Sequence, residues 1–158
     1  MFSSKDPVRI AVYGSEIKQK GRGVGLWNTG YHGTLTAAGA EPVFLKPATG
    51  SESWGEILRG TAGVVACGFD TSTPGKAGDM ESLALWCRSH RFPMLAIDQG
   101  LLAMNAAFGG LNYTDLPREF PEALQHRHPP EPGLRHAINV TPGTLMCKIY
   151  GEGEVVVN

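Results

Sequence analysis

An α/β fold, a three-layer sandwich around a mostly parallel sheet of flavodoxin-like character, is what this sequence predicts. Three observations carry the prediction. Short apolar runs alternate with segments of helical periodicity, the pattern of successive β-α units. The runs Val8-Arg-Ile-Ala-Val-Tyr13 and Gly63-Val-Val-Ala-Cys67 are largely apolar, as in strands covered on both faces. Third, Pro93-Met-Leu-Ala-Ile-Asp98-Gln-Gly-Leu-Leu-Ala-Met-Asn105 reads as a strand, a tight polar turn and an apolar helix. Such an elbow pushes Asp98 out at the C-terminal end of its strand, the edge where α/β sheets bind ligands and place nucleophiles.

In chain order, the first strand closes at Gly14-Ser15, and residues 16–25, rich in Lys and Gly and aperiodic, read as a loop. Residues 27–39 read as a helix ended by Gly39. Pro42-Val-Phe-Leu45 is a second strand, with proline at its start where a missing N–H costs least. Residues 51–59 form a short helix with Ser51 as N-cap. After the third strand, 63–67, comes a Ser/Thr/Pro/Gly loop. Residues 79–90 then give an amphipathic helix, with Met80, Leu83, Ala84 and Cys87 on one face and Asp79 as N-cap. Residues 94–97 form the fourth strand and 99–107 the elbow helix. Residues 117–132 hold five prolines with His126 and His128, an irregular surface segment. Residues 135–141 alternate as a half-exposed strand, 144–150 form a short helix or turn, and 154–158 form a last strand.

Composition narrows the function. A chain of 158 residues suits one domain with a real core. A net charge of −1 gives no footprint for nucleic acid or an anionic membrane. No apolar run approaches the roughly 20 residues that span a bilayer. No secretory h-region follows Met1, so a cytoplasmic location is expected. Cys67, Cys87 and Cys147 are far apart and in no metal-ligand spacing, which reads as reduced thiols without a metal or cofactor. His126-x-His128 can bind metal, but in a proline-rich loop it reads as plain surface.

Several of these pieces, taken in order, resemble the γ-glutamyl hydrolase branch of the class I glutamine amidotransferase-like superfamily (γ-glutamyl-γ-aminobutyrate hydrolase-like, peptidase C26-type). Tyr31, Leu35, Ala38-Gly-Ala40 and Pro42-Val43 resemble its early helix and second strand. Gly63-Val-Val-Ala-Cys67-Gly-Phe-Asp70 resembles its strand and Gly-Gly-x-Asp loop. The elbow, with Asn105, Gly109-Gly110 and Asp115-Leu116, resembles its Gly-x-Cys-x-Gly elbow and the run that follows. His126-Arg-His128, and His136 ahead of Pro142-Gly-Thr-Leu145, resemble its later insertion and strand. In that family the elbow cysteine attacks a γ-glutamyl amide, a later histidine oriented by a glutamate moves protons, and backbone N–H groups hold the oxyanion.

Carried over, the resemblance implies Asp98 at the nucleophile position, backbone N–H groups of Gly68 and Gln99 at the oxyanion hole, and Gly100 and Asp70 at the substrate. It implies no cofactor. The departures bear on activity. Asp98 stands for the cysteine, Gln99 for the arginine or polar residue after it, Leu102 for the later elbow glutamine and Cys67 for a glycine. Val155-Val-Val-Asn158 resembles the strand before the family's Ser-x-His-His-type turn, so the catalytic His and Glu are expected beyond Asn158 and 1–158 as a single, incomplete domain. An Asn-Ser junction can cleave through its own backbone, which makes Asn158 a candidate cleavage point and a complementary C-terminal chain a candidate partner. Homo-oligomerisation is a further expectation. Two functions follow. One is a hydrolase-type protein acting on C–N amide bonds of γ-glutamyl-type or other amide substrates, its site completed by a second chain. The alternative is a catalytically inactive homologue serving as a binding or structural subunit. A carboxylate is a weak nucleophile toward an amide and would form a high-energy anhydride, and Cys67 reads as a buried, inert strand-end thiol.

Overall fold

The computed structural model describes residues 6–19, 22–26, 29–45, 53–67, 77–113, 115–123 and 135–157. The chain divides into two compact units, Met1–Asn112 and Tyr113–Asn158.

The first unit is a parallel α/β structure. Its elements are β1 (Val8–Tyr13), β2 (Ser15–Gln19), β3 (Arg22–Leu26), α1 (Thr29–Ala37), β4 (Ala40–Leu45), α2 (Trp54–Ile57), β5 (Gly63–Cys67), α3 (Ala77–His90), β6 (Met94–Ile97) and α4 (Gln99–Ala107). The main sheet has the order β4-β1-β5-β6, and every pairing in it is parallel. With β2 and β3 set aside, that order runs second, first, third, fourth strand, as flavodoxin-like sheets do. The register places Tyr13 beside Leu45 and Ala66, and Cys67 beside Ile97. The C-terminal ends of β1, β5 and β6 therefore meet at one edge, and Asp98 follows directly on that edge.

Burial explains the two inner strands. Ala11, Val12 and Tyr13 of β1 and Val64 through Cys67 of β5 are buried, which is why both read as apolar runs. Helix α3 covers them with Met80, Leu83, Ala84 and Cys87, the face its spacing predicts. Met80 and Leu83 each contribute about 1.5–3 kcal/mol by leaving water. The Tyr13 ring meets the edge of Trp54 at 5.6 Å. Pro42 is tolerated because β4 is an edge strand of this sheet.

Three local expectations are corrected. Residues 16–19 and 22–25 are not a loop. They lie in the antiparallel strands β2 and β3, whose register pairs Ser15 with Leu26 and Gln19 with Arg22; residues 20 and 21 lie outside the described residues. Asp79 is not an N-cap, because α3 starts two residues earlier, at Ala77. The short helix after β4 begins at Trp54, not Ser51. There the Glu56 carboxylate accepts from the Ser53 N–H at 3.2 Å and hydroxyl at 3.1 Å, fixing the entry turn. Ser51 itself lies outside the described residues.

The second unit holds α5 (Leu116–Glu119), β7 (His136–Val140), α6 (Leu145–Tyr150) and β8 (Gly153–Val157). β7 and β8 pair antiparallel, from His136 with Val157 to Val140 with Gly153. Thr144 caps α6, its hydroxyl accepting from the Cys147 N–H at 3.1 Å. The expected irregular segment 117–132 begins instead with α5, whose first turn is held by the Asp115 carboxylate accepting from Arg118 N–H at 3.3 Å. His126 and His128 lie outside the described residues. Among the described residues no helix is long and apolar enough to cross a membrane.

Candidate active site

The elbow is built from backbone first. Asp98 has φ 52° and ψ −117°, a conformation that L-residues rarely adopt. Arg91 shares that φ, but it lies in the turn where α3 ends and carries no helix after it. A non-glycine residue held in such a region costs on the order of 1–3 kcal/mol and persists only where the surroundings impose it. Here they do. The Asp98 carbonyl accepts from Leu101 N–H at 2.9 Å and Leu102 N–H at 3.2 Å, tying the turn to α4. One residue before it, Ile97 is paired into the sheet with Cys67. Gly100 completes the turn. A Cβ there would collide with the Ala66 carbonyl, so only glycine lets the first turn of α4 lie this close to β5.

The side chain that this backbone presents is exposed, and it does not fold back to cap α4. Among the described residues no cationic side chain pairs with it. The first N–H groups of α4, those of Gln99 and Gly100, have no intrahelical partner, as at any helix start. The elbow therefore offers a carboxylate beside backbone donors at the C-terminal edge of the sheet.

Two further groups belong to the same cluster. Cys67 is fully buried at the end of β5, and its thiol donates to the Tyr13 carbonyl at 3.5 Å. Burial first, and the Asp98 charge second, push this thiol up from its ordinary 9.0 to about 11, although a hydrogen bond from Tyr31 opposes the shift. Buried and held protonated at neutral pH, Cys67 lacks the thiolate character of an activated nucleophile. Tyr31, from α1, is hydrogen-bonded to the Cys67 side chain. Its own ionisation is pushed upward, by desolvation first and then by the Cys67 and Asp98 charges. The cluster is thus one carboxylate with a thiol and a phenol that both keep their protons.

The structure brings Asp98, Gln99 and Gly100 together at the elbow. Gly68, Asp70 and Asn158 lie outside the described residues. Tyr31 is the site residue that sequence reasoning did not assign a role. A signal was available: it is the one aromatic hydroxyl in Thr29-Gly-Tyr-His-Gly-Thr-Leu-Thr-Ala37, a helix whose other residues, Leu35 apart, are small or polar. The described histidines of the first unit are engaged elsewhere, His32 stacked on Phe44 and His90 on Trp86. In the second unit a cavity of about 410 Å³ is walled by Ile138, Val140, Met146, Val155 and Val157, with no acidic or basic group. It is a place for apolar matter and carries none of the groups that hydrolysis needs.

Two comparisons with known proteins bear on the chain. A family model described as Peptidase C26 matches residues 79–158, half of its length, from α3 through the elbow to β8. No curated protein matches it.

Proposed function

Because the chain belongs to the Peptidase C26 family, whose members are glutamine amidotransferase-like amide hydrolases, we propose that its elbow serves a small molecule of the γ-glutamyl amide type, and that it binds this molecule rather than cleaving it through a thiol. One observation carries the reading. The backbone that a nucleophile elbow requires is present at Asp98, φ 52° and ψ −117°, but the group upon it is a carboxylate. The nearby thiol cannot take over, because burial keeps it protonated up to about 11. Retained geometry without an activated sulfur supports recognition in place of acyl transfer.

A second reading is hydrolysis of a C–N amide bond with Asp98 as nucleophile, the proton-handling histidine coming from a complementary chain. The exposure of the uncapped Asp98 carboxylate favours it. The two separate in one experiment. The full chain is titrated with γ-glutamyl-p-nitroanilide while p-nitroaniline release and the amide resonances of Gln99 and Gly100 are followed. The binding reading expects saturable shifts at those amides and no release above buffer. Release that disappears in Asp98→Asn would establish the hydrolytic reading, and the absence of any shift would remove both.

A further inference from the structure

The cavity of about 410 Å³ belongs to the second unit alone, and its walls follow from the strand register. β7 and β8 pair Ile138 with Val155 and His136 with Val157. Cross-strand partners share a face and successive residues alternate between faces. Ile138, Val140, Val155 and Val157 therefore stand on one face of the hairpin, and all four line the cavity. The opposite wall is α6, through Met146 and Tyr150, which lie four residues apart on one side of the helix. The turn that joins the two walls is held by its own bonds. The Thr144 hydroxyl donates to the Thr141 carbonyl at 2.8 Å and accepts from the Cys147 N–H at 3.1 Å. Val140 is 8 % exposed, whereas Ile138 and Met146 remain 42 % and 52 % exposed. Apolar side chains around a built hollow are thus left open to solvent.

We propose that this cavity is a binding site for a neutral, mainly hydrocarbon small molecule between the β7–β8 face and α6. Size is the first argument. The volume falls among small-molecule sites, which run from about 300 to 1,000 Å³. At roughly 30 Å³ of liquid volume per water-sized group, it takes on the order of a dozen heavy atoms. Charge is the second. None of the lining residues is acidic, basic or a histidine, so an ion entering it would leave water without a counter-charge. The third argument separates a small molecule from a protein partner. Nine described residues line the cavity, whereas a stable protein interface uses about 20–30 on each side. This proposal is independent of the reading of the elbow.

The test uses the full chain and three rigid probes that share one hydrocarbon cage: neutral 1-adamantanol, the 1-adamantylammonium cation and 1-adamantanecarboxylate. Each is titrated while the methyl resonances of Ile138, Val155 and Val157 are followed, with those of Val12 as a reference in the first unit. The expected result is a saturable shift of the three cavity residues with 1-adamantanol, weaker binding of both ions, and no shift at Val12. Val155→Trp fills the hollow from the hairpin and should weaken 1-adamantanol at least about tenfold. Val156→Trp places the same ring on the other face of the hairpin, 65 % exposed in the native chain, and should change the affinity less than about twofold. Amide resonances of β7 show whether the hairpin still pairs in each variant. Met146→Trp, which fills the hollow from α6, decides the matter where Val155→Trp does not pair. Unchanged affinity in the cavity-filling variants overturns the proposal, as does equal loss in Val156→Trp or tighter binding of either ion. The absence of any shift with 1-adamantanol overturns it too. Shifts of the same methyl groups that depend on protein concentration alone would mean that a second copy covers the cavity, and would equally overturn it.

Discussion

Asp98 carries backbone strain that its side chain does nothing to relieve. Glycine adopts φ 52° freely, whereas alanine keeps the penalty and loses the charge. Asp98→Gly is therefore expected to be more stable than Asp98→Ala by about 1 kcal/mol in urea unfolding, after part of the strain relief is offset by glycine's freedom in the unfolded chain. Equal stabilities would mean that the elbow is not strained. The thiols give a second expectation. Cys67 and Cys87 are both held at about 11 in the folded chain, against an ordinary 9.0. An unfolded chain thus loses these protons first as pH rises. Folded stability should be insensitive to these thiols below pH 9 and decline as pH approaches 11. Chemical unfolding across that range checks the decline. Alkylation of Cys67 by iodoacetamide should be negligible at pH 7 and accelerate along the same rise. The sequence placed Asp98 at the elbow through its neighbours, an apolar strand before it and an apolar helix after it. It could not show that Tyr31 shares the cluster, because α1 is distant in the chain and meets the sheet edge only through the fold.

At the scale of elements, β6 and α4 act as one piece. Their junction needs no side chain at Gly100, because the carbonyl of Ala66 in β5 occupies that space. Gly100→Ala is expected to destabilise the protein by at least about 2 kcal/mol, and to shift the amide resonances of Ala66 and Cys67 more than those of β4. A neutral outcome in a thermal melt would show that β5 and α4 are not in the close contact described. The far end of α4 is held by different means. Asn105 Nδ2 donates to the Leu111 carbonyl and to Asn112 Oδ1, both at 2.9 Å, while Asn112 Nδ2 donates to the Leu102 carbonyl at 2.9 Å. Strands β5 and β6 and helix α4 were legible to the residue, because their apolar runs end at clear breaks: Gly68, Asp98 and Gly109-Gly110. The β2–β3 hairpin was not. Its Lys- and Gly-rich composition lacks the β-branched alternation by which strands are recognised, so its pairing depends on backbone bonds that composition does not reveal.

At the scale of the whole molecule, the hydrophobic core and the elbow both belong to the first unit. Every buried member of the core cluster, from Ala11 to Ala103, precedes Asn112. A fragment of residues 1–112 is accordingly expected to unfold cooperatively in urea and to retain the elbow resonances of Gln99 and Gly100. A broad, non-cooperative transition would show that the remaining residues are needed to hold the site. The fold class was legible because parallel α/β units write themselves as apolar strand, break and amphipathic helix. Function was legible only as far as the elbow, since what an elbow does depends on the group it carries and on that group's neighbours. The central claim is that this elbow binds its ligand without hydrolysing it. The rate of p-nitroaniline release from γ-glutamyl-p-nitroanilide by the full chain tests it most directly. The account predicts release no faster than in buffer, and release that is abolished by Asp98→Asn would contradict it.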